Sequence, residues 1–380
     1  MRRILVPVIL AVSLSFTLYL IYVYYDVTEK SDRAVKEAVS KECARNDLID
    51  YYYYESIPGS KIKNNKFGLY VYAEVGDFFR LADELVNSNG GDWGYVLIPF
   101  NIGDRDEAKW RGVFEQLGSR HLIPIIQLWD VDPGDYEETT KAAAAFLNSF
   151  LWPVKERYVS VYNEPNSAHF WRDGIDPAGY ARVLTFTIGN FKEENPDFFM
   201  LNGALNASAS TIQDEYMDAF EYMRLMDREV PGIFVKLDGW ASHSYPQPNF
   251  SGSPYAKGRS SIKAYASELS FLSSEFGVTR KLPVFITETG WTHAEGENYN
   301  NSFMNDSAVA ENLKIAYTQV WLKDDRVMAI TPFTVKYDPP YDHFSWVNRD
   351  NVPYYHYDAV KSLEKTAGTP RKLKTGSTCI

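Results

Sequence analysis

Two glutamates are placed where they could do acid–base chemistry. The stretch "YVSVYNEPN", Tyr158 to Asn166, starts as a strand and stops on Asn163-Glu164-Pro165. Proline cannot donate to a sheet ladder, so Pro165 marks the strand end and Glu164 stands at its carboxyl tip. A second strand-like run, "VFITETGW", ends on Glu288 and Trp291. Between them, "ASHSYP" offers His243 and Tyr245 at the end of a third such run. Two carboxylates facing one cavity can cleave a glycosidic bond. One protonates the leaving oxygen while the other attacks the sugar carbon or activates a water. In that scheme Tyr245 could hydrogen-bond Glu288 and keep it ionised, and Asn163 could hold a hydroxyl beside the reacting carbon. Trp291 or Trp346 could form the sugar platform. Each residue also has an ordinary reading: a solvated strand-end carboxylate, a satisfied structural histidine, a core tryptophan.

These positions imply a scaffold. From about residue 66, short apolar runs alternate with helix-like stretches. The apolar runs are "FGLYVYAEV", "WGYVLIPF", "LIPIIQLWD", "YVSVYNEPN", "FFMLNGAL", "FVKLDGWASHSYP", "LPVFITETGW" and "VMAITPFTV". Helices are expected after each, the fifth over 212–226 and the last over 357–366. Eight strand–helix units predict an α/β protein with a parallel sheet. Among such folds they fit a single (β/α)8 TIM barrel, whose sites gather at the carboxyl ends of the strands. No GxGxxG turn follows the first strand, which argues against a dinucleotide-binding sheet. Glu164, on the fourth strand, and Glu288, on the seventh, would then face each other across the mouth.

The chain has 380 residues and a formal net charge of −11, which disfavours binding nucleic acid by its phosphates. Its 27 Tyr, 22 Phe and 9 Trp can fill a core or stack on sugar faces. Cys43 and Cys379 lie in no Cys/His cluster, so no zinc site is expected. They could pair in an oxidising compartment or stay free thiols. Arg2 and Arg3 precede an uncharged run from Ile4 to Tyr25, long enough to span a bilayer and ending in tyrosines suited to its interface. This predicts a signal-anchor over 1–25 that keeps the rest outside the cytoplasm, with a cleaved signal peptide as the alternative. A juxtamembrane stalk over 26–65, the barrel over 66–367 and a loose tail over 368–380 complete the expected organisation, as a monomer. Four Asn-x-Ser sequons occur, at Asn206, Asn249, Asn300 and Asn305.

"YNEPN" on the fourth strand with "FITETGW" on the seventh resembles clan A, the retaining glycoside hydrolases with a (β/α)8 barrel. "NEPNSAHFW" and "DGWASHSYP" look most like its cellulase-like (family 5) and xylosidase-like (family 39) branches. The resemblance spans about Phe67 to Thr366. It implies that Glu164 is the acid/base, Glu288 the nucleophile, Asn163 a 2-hydroxyl contact, Tyr245 the nucleophile's partner and His243 a substrate contact. It implies an oligo- or polysaccharide substrate and no metal or organic cofactor. One departure stands out. Several of these families carry a second-strand arginine bonded to the nucleophile, where this chain has Leu97, with Arg105 just beyond. That departure motivates a rival reading, a catalytically reduced sugar-binding barrel on the cell surface. Transglycosylation by the same two glutamates is a third.

Overall fold

A computed structural model describes residues 52–375, except Pro58 and Asp173. The expected anchor (1–25), most of the stalk, and both cysteines lie outside the described residues. Among the described residues, no helix is long and apolar enough to cross a membrane. Short strands Tyr52–Tyr54 and Leu373–Thr375 lie at the two ends of the described chain. The compact unit that carries the site runs from Tyr54 to Leu373.

Eight strands alternate with eight helices in this unit. The strands are β1 (Gly68–Tyr70), β2 (Gly94–Asn101), β3 (Leu122–Trp129), β4 (Arg157–Asn163), β5 (Phe198–Ala204), β6 (Trp240–His243), β7 (Val284–Glu288) and β8 (Val327–Ile330). The helices are α1 (Gly76–Val86), α2 (Glu107–Ser119), α3 (Tyr136–Asn148), α4 (Pro177–Glu194), α5 (Ala219–Glu229), α6 (Ala264–Phe276), α7 (Asp306–Ile315) and α8 (Tyr355–Lys361). Strands β1 to β5 form one parallel sheet and β6 to β8 another. Single parallel bridges, Leu201 to Gly239 and Phe67 to Ile330, join their edges and close the barrel. At the seam between β5 and β6 the Asn202 side chain adds to the bridging. It donates to Ala241 O and accepts from Ala241 N, at 3.0 and 2.9 Å.

Alternation along the strands sorts side chains into two layers. Tyr95, Leu97, Ile123, Ile125, Tyr158, Leu201 and Phe285 belong to the cluster that fills the barrel interior. Val96, Ile98, Ile126, Val159 and Ile286 pack outward under the helices. Leu97 is fully buried, in register with Tyr70 on one side and Ile125 on the other. Burying a leucine this completely stabilises the fold by roughly 1.5–3 kcal/mol, so the position serves the core.

Several expected boundaries move. Helix α5 begins at Ala219 rather than 212, because Asp218 caps it by accepting from the Phe220 and Glu221 amides. Helix α8 spans Tyr355–Lys361 rather than 357–366. The last residues of the expected stalk are part of the barrel's lower end: Asn64 donates to Met328 O and accepts from the Tyr95 hydroxyl. The first residues of the expected loose tail, 368–371, are also fastened. Gly368 N donates to Asp92 O, Thr369 N to Lys63 O, and Lys155 N to Arg371 O. These long-range bonds satisfy backbone groups that a sequence pattern does not display.

Candidate active site

The carboxyl ends of the strands enclose a pocket of about 350 Å³. Strand β4 delivers Glu164 through a local distortion. Tyr162 and Glu164 adopt φ of 71° and 35°, left-handed values that non-glycine residues rarely take and that concentrate at functional sites. The neighbouring strand fits around this kink. At Gly203 of β5 a Cβ would meet Val161 O at 2.5 Å and Tyr162 O at 2.8 Å. The Tyr180 hydroxyl pins the pair, donating to Val161 O and accepting from Gly203 N. Glu164 N donates to Ala204 O, and its carbonyl accepts from Ser167 N.

Glu288 is the last residue of β7, opposite Glu164. Both are only 8% exposed. His243, at the tip of β6, stands between them. Its Nδ1 is 2.8 Å from Glu164 Oε1 and 3.6 Å from Glu288 Oε2. One ligand-type atom from each of the three residues lies within 4.8 Å of the others. A divalent cation could be held at that spacing, but His243 Nδ1 already lies on Glu164. The Tyr245 hydroxyl donates to Glu288 Oε2 at 3.0 Å.

Burial controls the charges here. It pushes the Glu288 carboxyl up to about 7; Glu164 adds to the rise, and His243 and the Tyr245 hydrogen bond oppose it. Burial alone would lower the His243 pKa. The Glu288 charge and the Glu164 hydrogen bond outweigh it, so the imidazole moves upward. Burial and both carboxylates hold Tyr245 well above the usual phenol range, so it remains a donor.

Asn163 also lines the pocket. Its Oδ1 accepts from Gln127 Nε2 at 3.0 Å, and Gln127 Oε1 accepts from Trp129 Nε1 at 3.0 Å. That chain fixes the Asn163 amide with its Nδ2 free to donate into the pocket. Sequence reasoning missed Gln127, although the signal was there: one polar residue inside the apolar run "LIPIIQLW". A fully buried polar residue on a central strand needs partners, and here they are site residues.

The two tryptophans expected as a sugar platform do not line the pocket. Trp291 and Trp346 are each 2% exposed and belong to the outer core. Trp291 donates to Gly252 O at 2.8 Å. Gly290, at φ 145°, turns the chain between Glu288 and Trp291, so strand alternation no longer predicts where that side chain points. Trp346 packs edge-on to His356, with ring centroids 5.2 Å apart. The pocket's aromatic walls come from elsewhere. Trp129 and Phe170 form one side, with ring centroids 5.7 Å apart. Phe333, Tyr337 and Tyr341 form another, with Tyr72 lying 4.1 Å from Tyr337.

Arg105 does not substitute for the missing arginine. Its guanidinium donates to Ile102 O, Asp104 O and Thr139 O and covers Phe146, on the outer layer. Asn206 lines the pocket, so its sequon is a poor glycan acceptor in the folded chain.

No family model matches the chain, and no curated protein sequence matches it. Solved structures do. The fold is similar to that of a glucosidase from Croceicoccus marinus, with TM-score 0.53 and 12% identity, covering 83% of this chain and 70% of that one. It is similar also to a β-glucuronidase from Ruminococcus gnavus, with TM-score 0.50 and 12% identity, covering 82% of this chain and 52% of that one. This chain therefore aligns with about half of the glucuronidase. These structural neighbours are glycoside hydrolases, and at such identities the likeness establishes the barrel fold alone. Neither the cellulase-like nor the xylosidase-like branch is singled out.

The Tyr245 bond predicts a pH effect. With Glu288 as the nucleophile, as the resemblance to clan A implies, its protonated form cannot attack, so kcat/KM should fall as pH drops below about 7. Removing a donor that lowers the Glu288 pKa should move that acid limb to higher pH. Comparing kcat/KM–pH profiles of wild type and Tyr245→Phe tests this; an unmoved limb contradicts it.

Proposed function

We propose that the protein is a retaining glycosidase that cleaves a β-glycosidic bond by double displacement. The supporting observation is the pair of buried carboxylates, within 4.8 Å across the barrel mouth, with Tyr245 donating to one of them. Carboxyl groups about 5–5.5 Å apart suit retention, because no water need fit between the second carboxylate and the sugar. In the first step a Glu288 oxygen attacks the anomeric carbon. The bond to the leaving oxygen breaks, and Glu164 gives that oxygen its proton. In the second step Glu164 takes a proton from water, the water attacks the same carbon, and Glu288 departs as carboxylate. A sugar acceptor in place of water would give transglycosylation. His243 bonds Glu164 and lies 3.6 Å from Glu288, and Tyr245 keeps the attacking oxygen aligned.

The roles of the two glutamates are separable. Glu164→Ala and Glu288→Gly should each lose activity by roughly 10³-fold or more. With azide and an activated aryl β-glycoside, Glu164→Ala should yield the β-glycosyl azide, because azide opens the covalent intermediate. Glu288→Gly should yield the α-azide by direct displacement. Reversed products would swap the assignments. If wild type binds glycans and releases no product, the surface-binding reading replaces catalysis; the uncharged Leu97 at the second-strand position favours that alternative.

We infer that Gln127 positions Asn163 for the 2-hydroxyl. Gln127→Leu should lower kcat/KM roughly tenfold or more on a 2-hydroxy substrate and leave the 2-deoxy analogue nearly unchanged. Equal losses on both would mean a purely structural role.

The site of action is proposed from residues 1–25 alone: a membrane anchor with the barrel outside the cytoplasm. External protease on intact cells should digest or release the barrel. Full protection, lost only on permeabilisation, would refute this placement.

A further inference from the structure

We propose that the pocket takes an uncharged β-linked glycan, held between two aromatic walls, and discriminates against sugars that carry a carboxylate. This rests on the glycosidase reading. Among the described residues lining the pocket there is no Lys or Arg. Its acidic groups are Glu164 and Glu288; of its two histidines, His243 is already engaged by both, and His169 stands exposed at the pocket's rim. Nearby cations on the rim loops are committed elsewhere. Arg172 pairs with Asp130 at 2.8 Å and Asp132 at 3.3 Å. Lys336 donates to Arg349 O and Asn351 Oδ1.

A sugar carboxylate seated beside Glu164 and Glu288 would therefore be a further acidic group with no lysine or arginine lining the pocket to pair with it. Its desolvation would go uncompensated, and a buried unpaired charge costs several kcal/mol. A neutral pyranose meets no such penalty. Its C–H faces can lie against Trp129 on one side and Phe333 or Tyr337 on the other, and its hydroxyls can use Asn163, Asn206 and Gln247. This selectivity is opposite to what the name β-glucuronidase implies for the similar structure above, and it follows from the pocket's charges rather than from the fold.

The test uses the wild-type chain and aryl β-glycosides matched except at C6: glucoside with glucuronide, and galactoside with galacturonide. The neutral member of a pair should have a kcat/KM roughly 100-fold higher or more. A uronide cleaved as fast as its neutral partner overturns the inference while leaving the glycosidase reading intact. If neither class is cleaved, the glycosidase reading fails by itself. The inference is then decided by binding of wild type to an array of neutral and acidic oligosaccharides. Retention of neutral glycans alone supports it; retention of acidic glycans, or of none, overturns it.

Discussion

Glu164 and Glu288 place carboxylate oxygens within 4.8 Å of each other in a pocket that leaves each residue only 8% exposed. At an effective dielectric of about 20, two full negative charges at that distance repel by on the order of 3 kcal/mol. Much of the mouth's construction answers that repulsion. His243 stands between the two oxygens, and Tyr245 directs its hydroxyl at Glu288. Burial raises the Glu288 carboxyl toward neutrality, and the nearby Glu164 adds to the rise. A site held this way is ready for a reaction in which one carboxyl gives a proton while the other takes on a bond.

The same constraint gives meaning to Leu97. With an aliphatic residue on β2, the interior under the mouth is filled by apolar side chains, and the basic group nearest the two carboxylates is His243 on β6. The group at the mouth able to carry a counter-charge to them is an imidazole, which titrates, and not a permanently ionised guanidinium. The site's charge therefore depends on pH, and no lysine or arginine lines the pocket among the described residues.

The barrel supplies the geometry. A kinked end of β4, accommodated by Gly203, carries Glu164, and a register shift between the ends of β6 and β7, where Ser242 and His243 pair with Ile286 and Glu288, accompanies the placing of His243 and Glu288. Positioning then extends outward through Asn163, Gln127 and Trp129, each held by a hydrogen bond to the next. Long loops after β7 and β8 are where prediction from strand alternation stops working. Gly290 turns the chain so that Trp291 enters the core, and Phe333, Tyr337 and Tyr341 form the wall that Trp291 and Trp346 were expected to form.

What the sequence determined is what local physics encodes. Alternating apolar runs and helical stretches specify eight parallel strand–helix units, because each pattern has its own period and each face must be buried. Polar residues breaking off those runs, Asn163-Glu164, His243 and Glu288, mark the strand tips, since a strand confined to a core has no use for them there. Tertiary structure decided the rest. Which aromatic rings face the pocket depends on loop backbone angles that carry no periodicity. Whether Gln127 is a site residue depends on a partner 36 positions away. The closeness of two carboxylates, and the burial that lifts one of them to about 7, exist only once the barrel has closed. Solvent exclusion and charge coupling belong to the assembled mouth, and neither is a property of any segment alone.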